Sequence, residues 1–137
     1  MKIKFTIPGT PVAKARPRIT RSGHAYTPKK TADYEMRVKI CVMQLMAVQR
    51  LRPTTEAVRL TVQAFFPIPA SWTKAKKEKA LNGDLKHTTK PDFDNVEKAI
   101  QDAMNGIVYK DDSQIVLVAG SKEYASEPRV EVTVETV

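Results

Sequence analysis

The chain has 137 residues, 42% of them hydrophobic, with 23 lysines and arginines against 15 acids, a formal charge of +8 and a pI near 9.7. That length and apolar content fit one globular domain spanning residues 1–137 rather than two domains or a disordered polypeptide, and the positive excess attracts polyanions such as nucleic acid or anionic membrane. No apolar run approaches the ~20 residues of a bilayer span, the single cysteine, Cys41, excludes a disulfide framework or a cysteine-rich zinc site, and the opening MKIKFTIPGT lacks a signal-peptide pattern, so a cytoplasmic location is expected.

Residues 2–7 alternate Ile3, Phe5 and Ile7 against Lys2, Lys4 and Thr6, the period of a half-buried strand that ends at Pro8-Gly9. The next stretch, TPVAKARPRITRSGHAYTPK, is proline-rich and basic, carrying Lys14, Arg16, Arg18 and Arg21, and reads as an irregular loop too long to be a mere connector. From about 31 to 50 the positions Tyr34, Val38, Cys41, Val42, Leu45, Met46 and Gln49 recur near a 3.6 period, predicting an amphipathic helix that stops before Pro53. Residues 56–66 alternate as a second strand, ended by Pro67 and Pro69. Ser71 is the expected cap of a short lysine-rich helix that stops at Asn82-Gly83.

After the polar stretch DLKHTTKPDFDN a third helix is expected over 93–104, with Val96, Ala99, Ile100, Ala103 and Met104 as its buried face and Asn105-Gly106 as its stop. A short strand at 107–109, a turn at KDDS and strands at 115–124 and 129–137 complete an α+β fold of order β-α-β-α-α-β-β-β, a mixed sheet with packed helices.

Two acidic stretches stand out in this basic chain: KPDFDNVEK and YKDDSQI. Pro91 disfavours helix at Lys90, which puts Asp92 and Asp94 at the helix entrance. Capping by one carboxylate is the simplest account of that position. Two carboxylates two residues apart can instead converge on one hard cation. Asp94, Lys98 and Asp102 follow at i, i+4 and i+8, either a solvated stripe of ion pairs or a face that places the Lys98 ammonium one turn from the carboxylates. A helix over 93–104 advances about 18 Å and a short strand returns about 13 Å, so Asp111 and Asp112 can come back beside the helix entrance. Three or more carboxylates around one point in a cationic protein suit Mg²⁺, or Mn²⁺ in its place, between enzyme and phosphates. His24 and His87 are lone loop histidines without a metal-spaced partner.

The run KPDFDNVEKAIQDAMNGIVYKDDSQI closely resembles the signature of the RusA family of Holliday junction resolvases. GTPVAKARPR with YTP resembles the family's amino-terminal block and GDLKHTTKPD its middle, so the resemblance covers essentially the whole chain. It implies a single RusA-like domain in which Asp92, Asp94 and Asp112 bind metal, Lys98 is the essential lysine and Asp111 an assisting acid. Asn95 and Asp102 also match the pattern. Val96 and Met104 stand where leucine is typical, a matter of packing. The resemblance further implies Mg²⁺ dependence, a homodimer, and paired symmetric nicking of four-way DNA junctions in recombination and repair, as in prophage enzymes.

Two active sites suit the approximate two-fold symmetry of a junction. Lys14, Arg16, Arg18, Arg21 and Lys90 are then the expected phosphate contacts, and neither a membrane nor a small-molecule cofactor is an expected partner. Two other readings remain: a nuclease acting on flaps or forks, and a non-catalytic branched-DNA binder whose aspartates only cap a helix.

Overall fold

The computed structural model describes residues 1–137, and the chain clusters into two compact units. The first comprises Met1–Pro11, Glu56–Lys90 and Ile115–Val137; the second comprises Val12–Thr55 and Pro91–Gln114. The class is α+β, with a mixed four-stranded sheet and three helices.

The first unit is built on period-two patterning. Strand β1 (Lys2–Pro8) buries Ile3, Phe5 and Ile7 and turns its lysines outward. In the second unit lie two short strands, β2 (Arg18–Ile19) and β3 (Ala25–Tyr26), and helix α1 (Lys29–Val48). Returning to the first, β4 (Val58–Pro67) buries every second residue from Val58 to Phe66. Helix α2 (Lys74–Leu81) follows it. Helix α3 (Phe93–Met104) belongs to the second unit, and β5 (Ile115–Ala125) and β6 (Arg129–Thr136) finish the first.

The sheet order is β1-β6-β4-β5, antiparallel except for the parallel pair β4 and β5. Register aligns Ile3, Val134 and Leu60 across three strands, then Phe5, Val132 and Val62, then Ile7, Val130 and Ala64. Those rows form one buried apolar face, each full-sized side chain contributing about 1.5–3 kcal/mol. Strand β5 is an edge and does not alternate: Val116, Leu117 and Val118 are all exposed.

Helix α2 starts two residues later than Ser71 would allow. Thr73 holds the extended cap conformation, and its side chain accepts from the Lys76 amide at 3.3 Å. Ser71 lies in the turn before it. Beyond the expected stop at Asn82-Gly83, where Gly83 takes a positive φ, His87 is buried rather than a bare loop histidine. Its ring stacks on Phe66 at 4.0 Å and tilts against Tyr124 at 5.0 Å, while Trp72 meets Tyr124 edge-on.

In the second unit α1 packs against α3. Helix α1 buries Thr31, Tyr34, Val38, Val42 and Met46; α3 buries Val96, Ala99, Ile100, Ala103 and Met104, the apolar face expected from its spacing. Part of the basic loop is ordered as a hairpin instead of irregular chain. Its β2 and β3 pair around a turn in which the Thr20 amide donates to His24 and Gly23 takes φ +86°.

The expected strand at 107–109 is a turn. Ile107 and Val108 amides donate back to Met104, the Gly106 amide donates to Tyr109, and only single bridges tie Tyr109 to Thr54 and Asn105. A strand needs a continuous neighbour. Here the neighbours are single residues, and Thr54 accepts from Lys110 and donates to Val108 without a strand around it.

Candidate functional site

Pro91 sets the chain extended into α3, and Asp92 occupies the N-cap with φ −69° and ψ 146°. Its side chain nevertheless makes no capping hydrogen bond. Asp94 lies in the first turn, and both carboxylates are exposed. Helix capping therefore does not account for Asp92, because the bond that defines a cap is missing.

From Asp94 a polar stripe runs along the helix through Glu97, Lys98, Gln101 and Asp102, at i+3, i+4, i+7 and i+8. The Lys98 ammonium pairs with Asp102 Oδ1 at 3.2 Å. Asp102 Oδ2 is also 3.2 Å from Lys14 Nζ, and that same ammonium donates to Glu35 on α1. The segment bearing Lys14 is pinned by its backbone: the Lys14 amide donates to the Asn95 carbonyl at 2.8 Å, and the Ala15 amide to Thr31 Oγ1. Burial works to lower the Lys14 pKa, but hydrogen bonds and charges from Glu35 and Asp102 outweigh it and leave it raised.

The two aspartates of the DD pair are divided in their bonding. Asp111 shapes the turn: its Oδ2 accepts from the Ser113 amide at 3.0 Å, its own amide donates to Gln114 Oε1, and its pKa is lowered by those Ser113 hydrogen bonds. Asp112 opens a 3-10 turn (Asp112–Gln114) and is half-buried. Gln101 Nε2 donates to Asp112 Oδ2 at 3.2 Å, which joins that turn to α3. Tyr109 reinforces the join, donating its hydroxyl to the Gln101 carbonyl at 2.7 Å. Burial foremost, then the charges of Glu97, Asp112 and Asp102, push the Tyr109 pKa far up, so the phenol stays a donor.

Sequence reasoning passed over Glu97, Gln101 and Tyr109. Glu97 is buried, its Oε1 has no hydrogen-bond partner, and its pKa is raised by burial and by Asp102 and Asp94 against the lowering effect of Lys98. The signal that could have found it is its place on the Asp94 stripe one step from the apolar face.

Asp94, Lys98, Asp102 and Asp112 are thus gathered on or against one helix, with Asp92 at its entrance. No three His, Cys, Asp or Glu side chains stand close enough to hold one ion as the chain is arranged. The donor chemistry still fits a hard divalent cation, since Asp92, Asp94 and Asp112 form no ion pair and one buried carboxylate oxygen is unpartnered. Arg16, Arg18 and Arg21 are exposed in this unit, and Lys90 is exposed in the other. No helix is long and apolar enough to cross a membrane.

The model of the family described as endodeoxyribonuclease RusA matches residues 8–135. A Bacillus subtilis (strain 168) protein, named uncharacterized protein YqaN, is 44% identical over 142 residues, spanning 98% of this chain and 96% of that one. With nearly all of its length matched, the chain belongs to the RusA endodeoxyribonuclease family.

Proposed function

We propose that the protein is a Mg²⁺-dependent, structure-selective endodeoxyribonuclease that resolves four-way DNA junctions by paired nicking as a homodimer, acting in recombination and repair. The observation that carries this reading is the Gln101–Asp112 hydrogen bond, which holds a carboxylate from a distant turn against the helix that bears Asp94 and Lys98. Membership in an endodeoxyribonuclease family supports the choice of substrate.

Asp92, Asp94 and Asp112 would hold the ion, Mg²⁺ or Mn²⁺. Once bound, such an ion supplies charge neutralisation on phosphate oxygens and a more acidic water. The chain's own groups do the rest. Asp102 fixes Lys98, whose ammonium meets negative charge developing on the phosphate. Gln101 and Tyr109 keep Asp112 oriented at no reorganisation cost during the reaction. Asp111 shapes the turn from which Asp112 projects. Arg16, Arg18, Arg21 and Lys90 contact phosphates of the junction arms, while Lys14 braces α1 against α3.

A capped-helix DNA binder without chemistry is disfavoured by the missing cap bond at Asp92. The test is cleavage of four-way junctions, flaps and forks at equal salt with Mg²⁺, using wild type, Asp94→Asn and Asp112→Asn. Paired nicks on junctions, reduced by about 10²-fold or more in either variant, with junction binding retained, is the expected result. Absence of wild-type nicking on every branched substrate would sink the proposal.

A further inference from the structure

Helix α1 is apolar on two faces. One is buried and holds Tyr34, Val38, Val42 and Met46. The other carries Met36, Ile40 and Met43, which are 54%, 49% and 55% exposed, with exposed Ala47 one step further along. Isolated surface hydrophobics are ordinary. These follow one another at steps of 4, 3 and 4 residues, the repeat of a helix–helix seam. A helix that is apolar on both sides is one that packs on both sides.

The charges that continue the same repeat select what packs there. One step before Met36 the seam reaches Asp33, and one step after Ala47 it reaches Arg50, two residues past the helix end, both exposed. Against a second copy laid antiparallel about an axis between Ile40 and Met43, Ile40 meets the partner's Met43, Met36 the partner's Ala47 and Asp33 the partner's Arg50, each twice by symmetry. Arg37 on the flank then faces the partner's Gln44, so no like charges are opposed. A parallel pair would instead set Asp33 against Asp33 and Arg50 against Arg50, which is unfavourable. Asp33 pairs with Lys29 at 3.1 Å, an exposed contact that costs little to exchange. An anionic lipid surface is the other occupant a basic amphipathic helix fits, and Asp33 within the seam opposes it.

We propose that this outer face of α1 is the surface on which a second copy of the chain packs, the two helices antiparallel about a two-fold axis near Ile40 and Met43. The inference rests on the homodimer part of the proposed function and names its surface. The seam residues stand on α1, whereas Asp94, Lys98 and Asp112 stand on α3 and the turn beyond it. Pairing can therefore be altered without changing a residue of the candidate site.

Sedimentation equilibrium tests it on wild type, Ile40→Glu, Asp33→Arg and the double reversal of Asp33→Arg with Arg50→Asp, with circular dichroism as the check on folding. Wild type is expected to dimerise. Ile40→Glu should raise the dimer dissociation constant about 30-fold or more, and Asp33→Arg about threefold or more. The double reversal should return it to the wild-type value. A folded Ile40→Glu protein that dimerises like wild type, or a double reversal no tighter than Asp33→Arg, overturns the inference. Wild type that binds vesicles of anionic lipid and does not self-associate also overturns it, in favour of a membrane surface.

If Ile40→Glu fails to fold, cross-linking decides. In chains carrying Cys41→Ser, Met36→Cys mixed with Ala47→Cys should give disulfide-linked dimers of the two variants, and neither variant alone should. Links of Met36→Cys to itself, or no links at all, overturn the inference. Wild type that stays monomeric ends this inference and the homodimer reading together, while nicking by that monomer keeps the nuclease reading. Wild type that dimerises through this face yet cuts no DNA leaves this inference standing and removes only the nuclease reading.

Discussion

Gln101 holds Asp112 by one hydrogen bond, 3.2 Å from Nε2 to Oδ2, and is itself held by Tyr109 through its carbonyl. Asp112 thus owes its direction to a neutral side chain that carries no charge of its own. Gln101→Leu is expected to lower single-turnover junction cleavage by about tenfold and to cost only about 0.5–1.5 kcal/mol of stability. Kinetics alongside urea unfolding separate the two effects, and equal cleavage in variant and wild type would show that Asp112 needs no such anchor.

Lys14 lies between Glu35 and Asp102, with all three side chains at most a quarter exposed. Lys14→Met leaves two shielded carboxylates facing each other with only Lys98 nearby. A loss of about 1–3 kcal/mol is expected, below the 3–5 kcal/mol of a fully buried broken pair. Adding Glu35→Leu should restore most of it. A Lys14→Met protein of wild-type stability but weak junction binding would identify Lys14 as a phosphate contact instead.

The exposed hairpin of β2 and β3 carries Arg18 and Arg21, with Arg16 just before it. Replacing all three by alanine should reduce the slope of log affinity against log salt by about 2 to 3. The loss should be similar for every DNA sequence, because phosphate contacts carry no base information. Filter binding between low and moderate salt measures it; an unchanged slope would leave the hairpin without a role in DNA contact.

His87 predicts an acid sensitivity. Burial first, and the Lys122 charge second, hold its imidazole pKa below the ordinary value. The unfolded chain takes up a proton near pH 6.5 that the folded chain resists. Stability is therefore full above about pH 6.5 and falls as pH drops toward the lowered value. His87→Phe, which keeps the stack on Phe66, should flatten urea midpoints compared between about pH 7.5 and 5.5. An equally steep fall in the variant would assign the sensitivity to other groups.

Much of the fold was legible because its signals are local. Alternation of Ile3, Phe5 and Ile7 marks a strand whatever its partners, and Pro91 with Asn105-Gly106 brackets α3 to the residue. What escaped depends on contacts far apart in sequence. The apolar letters at 107–109 suit a strand, but only the isolated residues Thr54 and Asn105 bridge there, so a turn forms. Gln101 and Glu97 look like two more polar residues on a helix surface. One meets a turn eleven residues on and the other is enclosed, neither of which spacing along a single helix reveals.

Strands β4 and β5 lie side by side in parallel, yet α3 and the Asp112 turn fall between them in the chain. The second unit is likewise drawn from two excursions, one between β1 and β4 and one between β4 and β5. No uninterrupted fragment holds Glu35, Lys14, Asp94 and Asp112 without also holding β4. A fragment cut down to that second unit would carry β4 stripped of its neighbours β5 and β6, so a minimal nuclease made by truncation would present an apolar strand with both edges open to aggregation.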